Sequence, residues 1–206
     1  MYQPLSTRLA RAVLLCGALD FQSAIAATVA RYDFDDAGGK FANVAEDVAP
    51  HLVASPWTVV NGTLTSGTGV TGSALSARSF ESQNRLSFFL TPDAGHMLTL
   101  DHISFALRVI NTGPKLWRVT LNNVDIATGT THTTFTDELV TLHAVTSTQG
   151  FELALFGNKA SSSAGVLRLD NVVVDGTLSA VPIPASGYLL ASALVGGVRR
   201  TIRRRK

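Results

Sequence analysis

Apolar side chains recur at every second position through the middle of this chain, and that spacing admits strands and excludes helices. Ile103, Phe105, Leu107 and Val109 alternate with Ser104, Ala106 and Arg108. Leu86, Phe88 and Leu90 flank Ser87 in the same way, Trp117, Val119 and Leu121 alternate with Leu116, Arg118 and Thr120, and Phe151, Leu153 and Leu155 with Glu152 and Ala154. A strand with one buried face reads like this. Between the runs stand turn formers: Asn61-Gly62, Thr91-Pro92-Asp93-Ala94-Gly95, Asn111-Thr112-Gly113-Pro114, Gly157-Asn158 and the Ser161-Ser162-Ser163-Ala164-Gly165 loop. Long stretches at helical spacing are missing, so a parallel α/β sheet is excluded. The expectation is an all-β, antiparallel two-sheet sandwich of about eight to ten short strands, jelly-roll-like because Val29–Phe34 and Val166–Val174 look equally sheet-like and able to pair.

Two runs change phase. Leu98 and Leu100 are apolar at even positions, yet after Asp101-His102 the odd positions take over. Leu167 and Leu169 lead into Asp170-Asn171, after which Val172 and Val174 are apolar. A slip of one residue would turn the core side chains to water, so each site is a candidate β-bulge.

The ends of the 206-residue chain have another character. Arg8 and Arg11 precede the apolar Ala12–Leu19, and Ala24-Ile25-Ala26 places small residues where a signal peptidase cuts. At the other end Val181-Pro182-Ile183-Pro184 is followed by apolar Ala185–Val198 and then by Arg199, Arg200, Arg203, Arg204, Arg205 and Lys206. The apolar run covers about 21 Å as a helix, short of a hydrocarbon core of about 30 Å, which suits a transient stop with its arginines held inside. This motif, helix and basic cluster resemble the PEP-CTERM sorting signal, in its Val-Pro-Leu-Pro-Ala variant, with Ile183 where that variant has Leu. The resemblance implies export, passage through the inner membrane, recognition by an exosortase near Val181–Pro184, and a cell-surface or extracellular setting of exopolysaccharide and biofilm. Three segments follow: a signal peptide over 1–26, an exported β-sandwich over 27–180, and a sorting signal over 181–206 with a transmembrane helix.

Without the two ends the charge changes sign. Residues 27–180 hold nine Lys/Arg against fourteen Asp/Glu, a net −5, so the sequence pI of about 8.9 describes the tags and a nucleic-acid partner is excluded. The single cysteine, Cys16, lies in the signal segment, leaving the body without disulfides or thiolate metal sites.

Chemistry is thinly marked. His51, His96, His102, His132 and His143 are scattered, with no His-Glu-x-x-His pair and no Gly-x-Ser-x-Gly elbow, and no acidic pair stands out as a glycosidase would require. No enzyme and no required cofactor are expected. Tyr32-Asp33-Phe34-Asp35-Asp36 and Arg168-Leu169-Asp170-Asn171-Val172 are similar to the terminal strands of exported PEP-CTERM domains and of carbohydrate-binding jelly rolls. That resemblance implies a structural calcium held by Asp170 with Asp33, Asp35 or Asp36; the alternative is that these carboxylates serve turns and backbone amides. Trp117 belongs on a core face. Tyr32 and Trp57 are the candidate sugar contacts, with Asn122, Asn123 or Arg118 as polar neighbours. The leading function is therefore an exported surface or matrix protein whose partners are the secretion machinery, signal peptidase and exosortase; the alternative is a carbohydrate-binding module, and, further off, a polysaccharide hydrolase or lyase.

Overall fold

The structure is a computed structural model that describes residues 26–78, 84–110 and 112–181. The expected signal helix, apart from Ala26, and the expected transmembrane helix, with Pro182, Ile183, Pro184 and the basic tail, lie outside the described residues. Among the described residues no helix is long and apolar enough to cross a membrane.

Among the described residues thirteen strands run in chain order: β1 Ala27–Tyr32, β2 Asp47–Val48, β3 Leu52–Ala54, β4 Thr58–Val60, β5 Leu64–Thr68, β6 Ser73–Arg78, β7 Arg85–Pro92, β8 His96–Ile110, β9 Leu116–Leu121, β10 Val124–Thr130, β11 Thr136–Ser147, β12 Phe151–Asn158 and β13 Val166–Ala180. All pairings are antiparallel. One sheet has the order β11-β8-β13-β1-β2, with β6 and β5 added beside the first half of β13; the other has the order β10-β9-β12-β7-β3, with β4 also on β7. Their inner faces meet in one core. Tyr32 of the first sheet lies 5.0 Å from Phe88 of the second, and Phe105 lies 5.5 Å from Trp117. The sandwich is as expected, and β1 and β13 do pair, with Tyr32 opposite Val172 and Ala30 opposite Val174.

The strand count exceeds the expectation, and two strands reach fifteen residues each. Both long strands pass through the sites where the sequence changes phase. Asp175 pairs with His102 and Gly176 with Leu100, so Asp101 is the extra residue of one bulge. Asp170 pairs with Ala106 and Val173 with Ser104, leaving one extra residue beside Asn171, whose φ is 47°. A bulge lets the strand continue with its apolar set still inward. Gly157-Asn158, expected as a turn, instead ends β12 inside the sheet, where Gly157 opposes Trp117. The chain turns just afterwards, at Lys159 with φ 57° and through the Ser162–Gly165 hydrogen bond. Asn122 and Asn123, with φ of 48° and 65°, make the two-residue hairpin between β9 and β10 that side chains tolerant of positive φ allow.

Candidate functional site

The outward face of the second sheet carries three rows of side chains, built from the strand registers. The first runs Arg118 (β9), Phe156 (β12), Arg85 (β7). The second runs Thr120, Ala154, Ser87, with Thr58 of β4 beyond. The third joins Glu152 to Phe89. Middle-row residues are small, and although they face away from the core Thr120, Ala154 and Ser87 are buried. Arg85 reaches from the first row to the third, its Nη2 2.8 Å from Glu152 Oε1, while its Nη1 donates to Asn123 Oδ1 at 3.0 Å. Arg118 lies over the Phe156 ring at 4.3 Å and pairs with Asp125 at 2.7 Å. Asn122 Oδ1 accepts from the Glu152 amide at 2.8 Å and ties the hairpin to β12. The face thus carries an aromatic between two guanidiniums, a buried floor of small residues that Arg85 crosses to reach Glu152, and carboxylates and amides along its side.

Such a surface can do two things. An aromatic with an apolar face packs against a ring, and fixed donors and acceptors take hydroxyls around it. The carboxylates at hand, Glu152 and Asp125, are each held by an arginine.

Arg118, Asn122 and Asn123 therefore meet here, as expected of polar neighbours of a sugar site. The aromatic does not match. Tyr32 is fully buried and Trp57 is 4% exposed, each in the cluster with Phe34 and Phe88, so neither offers a face to a ligand. Tyr32 instead donates its hydroxyl to Ser55 O at 2.8 Å, and burial pushes its phenol pKa upward. Both aromatics are core because they sit inward on β1 and beside β4, where the sheets press together. Phe156, Arg85 and Glu152 were missed. Their signal was present: Phe156 stands opposite in phase to Phe151, Leu153 and Leu155, a large apolar group on the polar side of its strand.

The acidic residues gather without forming a metal cage. Asp170 is fully buried; its Oδ2 accepts from the Val70 amide at 2.6 Å and its Oδ1 from the Asn171 amide at 2.8 Å. Burial raises its pKa, against those amide hydrogen bonds, and the nearby charges of Asp35 and Asp33 raise it further. Asp35 accepts from the Ser73 amide at 3.0 Å, so Asp35 and Asp170 together grip the loop between β5 and β6. Asp33 caps the Asp35 amide, and Asp36 serves its own turn through Gly38 and Lys40. Among the described residues no group of three or more His, Cys, Asp or Glu side chains is placed to hold a metal ion.

The structure brings two of the scattered histidines together. His51 and His96 stack with ring centroids 4.2 Å apart, His51 beside Asp93 at 3.4 Å, on a recess of about 440 Å³ bordered by Ala27 and Ala180. His102 pairs separately with Asp175 at 2.8 Å, an oxygen of which also accepts from the Thr28 hydroxyl.

No protein-family model matches the chain. A search of curated proteins also finds no match. Among solved structures the chain is similar to a family 29 carbohydrate binding module complexed with mannohexaose, at 10% identity and TM-score 0.45, covering 74% of this chain and 93% of that one. It is similar also to the Clostridium thermocellum endo-1,4-beta-D-xylanase 10B modules complexed with xylohexaose, at 14% identity and TM-score 0.42, covering 62% and 27%. A third is an arabinose-bound α-L-arabinofuranosidase, at 13% identity and TM-score 0.41, covering 58% and 23%. The functional reading rests on this chain's own residues.

Proposed function

We propose that this is an exported, non-catalytic protein that binds polysaccharide through the outer face of its second sheet. One observation carries the reading: the Arg118–Phe156–Arg85 ridge beside the floor of Thr120, Ala154 and Ser87. Phe156 supplies an apolar contact beside the Arg118 guanidinium that packs on its ring, and Glu152, Asn122, Asn123 and Asp125 supply hydrogen bonds to hydroxyls. Affinity electrophoresis of the full-length chain through gels containing dextran, xylan or galactomannan tests it. At least one polymer retards the protein, and Phe156→Ala weakens that binding about tenfold, the scale of one lost aromatic contact of 1–1.5 kcal/mol. Free passage through every polymer, or unchanged retardation of Phe156→Ala, overturns the reading.

Delivery to the surface is the second part of the proposal, carried by the ends of the sequence. Signal peptidase cuts after Ala26, the inner membrane holds the apolar tail, and an exosortase acts at Val181–Pro184. Supporting this, Val181 is exposed and its amide donates to Gly95 O at 2.8 Å, so the motif starts where β13 leaves the sandwich. Mass spectrometry of the mature protein from its host decides it: termini at Met1 and Lys206 overturn the processing.

A further inference from the structure

The outward face of the first sheet holds a pair of like charges with no ionic partner. Arg108 of β8 and Arg168 of β13 are directly opposite in register, and Ser76 of β6 is opposite Arg168 on its other side. Like charges in that relation are destabilising. Both guanidiniums donate to one acceptor, Thr68 O, from Arg108 Nη2 at 3.3 Å and Arg168 Nη1 at 3.2 Å, which brings them side by side. Among the described residues neither makes an ion pair: Asp170, next along the same face, spends its oxygens on Val70 and Asn171. Burial, and then the charge of Arg108, lower the Arg168 pKa.

Several donors here are unused. The Nε atoms of both arginines and the hydroxyl of Ser76 are buried and lack a hydrogen-bond partner, and Ser76 itself is 3% exposed. Two of them, Ser76 Oγ and Arg168 Nε, lie against Gly67. A Cβ at that glycine would strike Ser76 Oγ and come within 2.6 Å of Arg168 Nε. The missing side chain lets the Arg168 guanidinium and Ser76 pack directly against the Gly67 backbone, which fixes the cationic fork beside Arg108. Phe135 lies under the Arg108 guanidinium at 4.7 Å and holds it in the plane of the sheet face.

We infer that Arg108 and Arg168, held in place over Ser76 and Gly67, form a site for one carboxylate or sulfate group of an acidic polysaccharide. Two adjacent guanidiniums match a multi-oxygen anion, and their planar forks hold such groups with a geometry that lysines cannot offer. Phe135 offers the sugar ring beside that group an apolar surface. Nucleic acid is the poorer fit, because the domain is net −5 and the site offers two cations where a phosphate row needs a basic stripe. The inference shares the polysaccharide reading but not its site, which lies on the other sheet.

The test uses the full-length chain in mild detergent, with gels containing gellan, whose carboxylates are separated by neutral sugars, dextran sulfate, neutral galactomannan, or single-stranded DNA. Gellan or dextran sulfate retards the protein; Arg108→Gln and Arg168→Gln each weaken that binding about tenfold, the effect of one lost charge-assisted hydrogen bond. Gly67→Ala, whose methyl group would displace the Arg168 guanidinium, weakens it similarly, while Arg31→Gln, an equal loss of charge at a distant ion pair, does not. Competition by free glucuronate assigns a carboxylate site and by free sulfate a sulfate site; competition by neither overturns the inference. It is overturned equally if Arg108→Gln, folded by its melting curve, binds as the parent does, or if DNA binds as tightly as the acidic polymers. Galactomannan on the same gels reads the outward face of the second sheet, so failure there is scored separately.

Discussion

Asp170 shows how one buried carboxylate can organise a terminus of the sandwich. Its two oxygens receive two backbone amides, one from its own bulge and one from the loop between β5 and β6. Asp170→Asn would set an amide donor against one of those N–H groups, and a loss of about 1–3 kcal/mol is expected, seen as a lower denaturant midpoint. The pH dependence has a definite sign. Because the folded state raises this pKa, the native protein binds the proton more tightly than the unfolded chain does. Stability from this group therefore grows as pH falls through the raised folded value and levels off below the ordinary unfolded one. Melting curves from neutral pH down to the usual carboxylate range should show the parent gaining on Asp170→Asn. A constant gap would mean that Asp170 titrates normally. Tyr32→Phe, which removes the bond to Ser55, should cost about 1 kcal/mol by the same measurement.

Among the strands, the edges hold the local strain. β11 is an outer strand, and between Thr141 and Val145 it bulges by two residues against β8, with His143 and Ala144 at φ of 52° and 58°. A bulge there blunts an edge that could otherwise pair with another chain. Ala144 is exposed and gains nothing from its methyl group, so Ala144→Gly should stabilise by up to about 1 kcal/mol, raising the melting temperature. The opposite sign is expected on the edge of the second sheet. Gly129 of β10 faces Trp117, and a Cβ there would run into the indole ring. Gly129→Ala must displace a buried tryptophan, at a cost of about 1–3 kcal/mol.

For the molecule as a whole, the question of calcium turns on what the carboxylates already do. Asp35, Asp36 and Asp170 each accept backbone amides, and the expected outcome is that chelator and millimolar calcium give the same melting curve. A transition that falls in chelator and returns with calcium would instead support the ion implied by the resemblance of the terminal strands. Strand character, the two bulges and the change of charge between the ends and the body were legible residue by residue, because alternation and phase are local properties of a chain. Even the outward position of Phe156 could be read from its phase. Which outward residues become neighbours was not legible. Arg108 meets Arg168, and Arg118 meets Phe156, only through the registers β8–β13 and β9–β12, which join segments distant in sequence. Tyr32 and Trp57 were misplaced for the same reason: an aromatic beside polar residues reads alike whether its strand faces water or a second sheet. Alternation says which side of a strand a residue takes; pairing of the two sheets decides which side is covered and what stands beside it there.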